Sequence, residues 1–115
     1  MNYHSGNVGA LSNGVRALFK VPADGGAITI KNAIFSVGTT GGTTYPLLVD
    51  LGTAGTAVDH VLADGGTIAG LAAVQSMTVQ SNPVVEAGHY VGVKEGNVAA
   101  MPTVSIVGFA YEDGK

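Results

Sequence analysis

Few side chains in this sequence could carry out chemistry: three histidines and eight acids, with no cysteine. A catalytic site gathers a base, a nucleophile or a metal in one cleft. His4, His60 and His89 show no ligand spacing of the His-x-His kind. His60 alternates with Val58 and Leu62, which predicts a half-buried strand position, and His89 opens another strand. No serine stands in a Gly-x-Ser-x-Gly elbow. The acids are single apart from Glu112-Asp113, and Asp24, Asp64 and Glu95 each precede a glycine. In turns, that placement serves local backbone bonding. Separated carboxylates or histidines could still meet in space as a glycosidase pair or a zinc site, but no spacing points to either. The expectation is therefore no catalytic residue, no metal ligand and no cofactor, and the chain does not read as an enzyme.

Other binding chemistries find equally little support. Gly38-Thr39-Thr40-Gly41-Gly42 lacks the Gly-Lys-Ser/Thr ending of a phosphate loop, and no helix follows it. Asp24-Gly25-Gly26 and Asp64-Gly65-Gly66 lack the alternating acids of a calcium loop. Net charge is −3, and Arg16, Lys20, Lys31, Lys94 and Lys115 are dispersed, so no cationic track invites nucleic acid. No apolar run reaches the roughly 18 residues that a membrane helix needs. The opening residues have neither a basic segment nor an apolar run, so no signal peptide is expected. A sugar platform would use aromatics. There is no Trp, and Tyr45, beside Pro46, is the best ligand-facing ring.

Composition points to a surface in contact with other protein. Charged residues make up 11% of the chain, against about 25% in an average globular domain. The cores of protein interfaces are depleted in Lys, Glu and Asp in the same way.

The elements that must position these residues are strands. Residues 1–14 are polar and rich in Asn and Gly, and predict an extended N-terminal arm ordered by what it docks on. Removing such an arm should spare the fold and weaken assembly. Residues 15–115 form one β-sandwich domain. Val15, Ala17, Phe19 and Val21 alternate with Arg16 and Lys20 before Pro22 ends the first strand. In the next, Ile28 and Ile30 share one parity and Ala33, Phe35 and Val37 the other, so a β-bulge near Asn32 is expected. Residues 46–51 direct Leu47, Val49 and Leu51 inward, and residues 103–111 read as a long central strand. Residues 68–74 suit either a strand or a short helical turn. Ala63-Asp64-Gly65-Gly66 repeats Ala23-Asp24-Gly25-Gly26, as equivalent corners of two halves would. The total is about eight short antiparallel strands, in a sandwich or jelly roll.

Two stretches carry a resemblance. Val15-Arg16-Ala17-Leu18-Phe19-Lys20-Val21-Pro22-Ala23-Asp24-Gly25-Gly26-Ala27-Ile28-Thr29-Ile30 resembles the opening of small jelly-roll proteins of tailed-phage virions. Val84-Val85-Glu86-Ala87-Gly88-His89-Tyr90-Val91-Gly92-Val93 is similar to their closing hairpin. The resemblance implies a capsid decoration (cement) protein that stabilises the shell by binding between major capsid subunits. It also implies a homotrimer, made in the host cytoplasm and located on the capsid surface. It carries over no catalytic residue. Unguarded strand edges argue separately for self-association. The expected partner contacts are Asn2, Tyr3, His4 and Asn7 of the arm, and Tyr45. The alternative is a carbohydrate- or receptor-binding module of a phage tail or fibre.

Overall fold

The computed structural model describes residues 1–8, 14–37, 45–66, 74–95 and 105–114. The glycine-rich loop at 38–42 and the ambiguous stretch at 68–73 lie outside them. The described residues form ten strands and no helix: β1 (Asn2–Asn7), β2 (Val15–Lys20), β3 (Ile28–Val37), β4 (Pro46–Asp50), β5 (His60–Asp64), β6 (Val74–Ser76), β7 (Thr78–Val79), β8 (Val84–Val85), β9 (Tyr90–Glu95) and β10 (Ser105–Asp113). They make two antiparallel sheets in a β-sandwich-like arrangement. One sheet runs β1-β10-β3-β6, with β8 also on β3, and the other runs β2-β9-β4-β5-β7. The pairings nest: β1 with β10, β2 with β9, β3 with β8 and β4 with β5. The strand count exceeds the expected eight because residues 2–7 form a strand and residues 74–85 change partner along their length. The latter form three short ladders.

One core lies between the sheets. Ile28, Ile30, Phe35, Val107 and Phe109 meet Leu48, Leu62, Val91 and Val93, and Val8 and Val21 close the ends. The bulge expected near Asn32 is present. Ala110 pairs with Asn32 but Tyr111 with Ile30, which leaves Lys31 as the extra residue. That one insertion lets Ile28 and Ile30 face the core together with Ala33 and Phe35.

Three readings differ from the structure. Residues 2–7 are not a free arm. They pair with β10 from Asn2↔Tyr111 to Asn7↔Ile106, and the following Val8 is fully buried. The stretch is too polar for a core of its own, but an edge strand needs only backbone pairing and one apolar anchor. In β2 a second bulge at Leu18 breaks the simple alternation: Ala17 is exposed, whereas Leu18 and Phe19 both pack on the core. In β4 the core residue is Leu48 and not Leu47. Val49, Asp50 and Leu51 are buried too, because this central strand is covered on both faces.

Gly92 marks the tightest approach between neighbouring segments. It pairs with Ala17, and a Cβ there would run into the Arg16 carbonyl and a Leu51 methyl. Gly92→Ala should therefore lower stability by about 1–3 kcal/mol, read from denaturant midpoints. Deleting residues 1–8 should cost more than that, since it strips a six-residue ladder and Val8. A truncated chain with an unchanged midpoint would return these residues to the status of an arm.

Candidate functional site

Two places on the molecule gather functional groups. The first is the outer face of the β1-β10-β3-β6 sheet. Because paired residues share a face, Tyr3, Ser5 and Asn7 line up with Ala110, Gly108 and Ile106. Asn32, Ile34 and Ser36 follow on β3, and Ser76 and Val74 on β6. None of these residues is charged. Apolar side chains stand open there: Tyr3 at 78% exposure, Val74 at 67%, Ile106 at 52% and Ile34 at 42%. Small residues in the central strand leave a hollow of about 250 Å³ between Tyr3, Ser5, Asn32 and Ile34, floored by Gly108 and Ala110. Soluble monomers rarely expose an extended apolar patch without using it.

The expected contact residues divide by strand parity. Tyr3 and Asn7 point to this open face. His4 turns the other way and joins an aromatic group, its ring 5.1 Å from Phe19 and 5.5 Å from Phe109. Asn2 is exposed on the parity of His4. Tyr45 is partly buried against the core, a packed loop aromatic on the other sheet's side.

The second place is a cluster with no signature in the sequence. Asp50 ends β4 and is fully buried. Its register partner on β5 is His60, and on β9 it lies opposite Val91, two residues beyond His89. The Asp50 carboxylate accepts the Gly52 amide at 2.7 Å on Oδ1. His89 Nδ1 lies 3.0 Å from Oδ1 and 3.1 Å from Oδ2, and a carboxylate can only accept, so this nitrogen donates. His60 Nε2 likewise donates to the Val84 carbonyl at 3.1 Å. Its Nδ1 faces Asp59 Oδ2 at 3.0 Å and Asp50 Oδ2 at 3.8 Å. One ligand atom each from Asp50, Asp59 and His60 lie within 4.8 Å of one another. Chain spacing predicted no such set. Asp50 and His60 are ten positions apart, and only the β4–β5 register makes them neighbours. Of the three acids expected to serve turns, Asp64 does so, its Oδ1 accepting the Gly66 amide at 2.8 Å. Glu95 instead ends β9, is buried and accepts the Gly14 amide at 3.2 Å, because the β9 ladder runs through it.

Neither a known protein family nor a characterised protein nor a solved structure matches this chain. The function is therefore read from these two surfaces.

The cluster also bears on stability. Removing the Asp50 carboxylate leaves the Gly52 amide and the His89 ring without their acceptor in a buried setting. Asp50→Ala should cost about 3 kcal/mol in an equilibrium unfolding experiment, several times more than Asp24→Ala on the exposed corner.

Proposed function

We propose that this protein is a structural component of a virus particle: a capsid decoration (cement) protein that stabilises the shell by binding between major capsid subunits. The observation that carries the reading is the outer face of the β1-β10-β3-β6 sheet, where Tyr3, Ile34, Val74 and Ile106 stand open and charge gathers at one end, in the Lys31–Glu112 pair. Such a face is suited to burial against protein, since covering the part around Tyr3, Ile34, Val74 and Ile106 desolvates no ion. The nested pairing of β1 with β10, β2 with β9, β3 with β8 and β4 with β5 supports a jelly roll, in which residues 74–85 supply one interrupted strand. The two stretches resembling phage decoration proteins fall on β2–β3 and β8–β9, the segments that build such a fold. Virion placement and assembly in the host cytoplasm follow from that resemblance.

The protein acts as a homotrimer, and the occupant of the open face is a second copy of the chain. Among the described edge strands, β1 is the long one without a charged side chain: β6 and β7 are uncharged but span three and two residues, and β2 shows Arg16 and Lys20. Natural edges are usually guarded by charge, so the unguarded one is where a neighbour fits. Closed symmetry buries one patch on every copy, and the number three rests on the resemblance.

A second reading is favoured by the hollow between Tyr3 and Asn32. An exposed ring beside amide and hydroxyl groups suits a sugar, as in a carbohydrate- or receptor-binding module of a tail or fibre.

Sedimentation equilibrium at micromolar concentration tests self-assembly. The expected result is a trimer, and Ile106→Lys, which puts a charge on the open face, should give the 11.4 kDa monomer with an unchanged circular dichroism spectrum. A wild-type chain that sediments as the monomer would remove the trimer. Electron microscopy of particles containing the chain tests the shell: density over the capsid supports decoration. Density confined to the tail, with glycan binding lost in Tyr3→Ala, supports the second reading.

A further inference from the structure

We propose that Asp50, Asp59 and His60 bind one divalent transition-metal ion, tested here as Zn²⁺, which fastens the two feet of the β4–β5 loop together. The inference stands apart from the proposed function, because it concerns a different sheet and a different set of residues.

The chemistry of the donor set leads to it. The Val84 carbonyl takes the hydrogen of His60 Nε2, so in the neutral ring Nδ1 presents a lone pair. That lone pair is aimed at two carboxylate oxygens, at 3.0 and 3.8 Å. Three acceptors converging on one point repel one another unless a proton or a metal cation sits among them. A metal-bound histidine characteristically gives its other N–H to a backbone carbonyl, which fixes ring orientation, and His60 has that arrangement. Ligating carboxylates are themselves held by hydrogen bonds, and Asp50 is held by His89 and by the Gly52 amide.

The spacing also fits. Ligand atoms about 2.0–2.2 Å from a tetrahedral zinc lie roughly 3.3 Å from each other. The two separations from His60 Nδ1, 3.0 and 3.8 Å, fall on either side of that value. One imidazole and two carboxylates suit zinc and its first-row neighbours better than calcium, which takes six to eight oxygens. Three protein ligands leave a position for water. The ligands come from the last residue of β4, the first of β5 and the residue before it, so the ion would act as a clip across the base of a loop.

Isothermal titration calorimetry of zinc chloride into the chelator-treated full chain, in a non-chelating buffer, decides the matter. The expected result is one saturable site per chain. Asp59→Asn and His60→Gln should each weaken it at least tenfold. Asp59 is exposed, so that variant should keep the fold, checked by its circular dichroism spectrum. His4→Gln, on the other sheet, should leave the affinity unchanged. A chain with no saturable heat holds a proton on His60 Nδ1 and not a metal, and the proposal falls. It falls equally if zinc binds as tightly to both cluster variants as to the wild type, or if His4→Gln abolishes binding.

Discussion

The ladder between β3 and β10 is the constraint on which the rest of the structure depends. It is the longest pairing among the described residues, from Ser105↔Val37 to Asp113↔Ile28, and it contains one extra residue, Lys31. Without that insertion, either Ile28 and Ile30 or Ala33 and Phe35 would face water, since a strand changes face at every residue. With it, both pairs enter the core and meet Leu48, Leu62, Val91 and Val93 of the opposite sheet. The same ladder leaves the second edge of β10 free for β1. It also sets Gly108 and Ala110 in a row on the outer face, where larger neighbours overhang them. Core, edge strand and open face are thus three results of one register.

How much of this the sequence could disclose depended on whether the information was local. The bulge was legible because the parity of apolar residues changes within six positions of one strand. The role of Asp64 was legible because an Asp-Gly-Gly turn is satisfied by its own backbone, as the bond from Gly66 to Asp64 shows, whereas Glu95 precedes a glycine and yet is a buried strand residue. The alternation in β4 misled, because a strand covered on both faces has no polar side from which to count. The first residues misled for a related reason. Their polarity argued correctly against an independent core, but it does not register that β10 offers a ladder. The open face was half visible: the shortage of charge stood in the composition, while its concentration on one sheet needed the register. The Asp50–His60–His89 group was invisible, because each contact crosses between strands and no two members stand at a recognisable spacing.

The two candidate surfaces make opposite demands on solvation. On the open face the exposed Tyr3, Ile34, Val74 and Ile106 stand among uncharged polar side chains, so association there would gain from the removal of water and would depend little on salt. Around Asp50 a carboxylate has been carried fully out of water, and an amide and a ring replace its hydration. A chain with so few charges spends two of its eight acids, Asp50 and Glu95, in its interior, and the first stands where the polypeptide leaves β4 for the loop at residues 51–59.

That loop has firmly anchored feet. Asp50 pairs with His60, the Asp59 amide donates to the Asp50 carbonyl at 2.7 Å, and the Leu51 amide donates to the Tyr90 carbonyl at 2.8 Å. Between them Thr53 and Ala54 are exposed, next to Gly52, whose φ of 66° already accommodates a reversal. A foreign peptide spliced between Thr53 and Ala54 would therefore begin and end on fixed backbone. Its thermodynamic burden would be mainly loop closure, which grows by only about 0.6 kcal/mol for each doubling in length. The molecule is in that sense a natural display scaffold, with an insertion point remote in sequence from β1, β3, β6 and β10, the strands that build its open face.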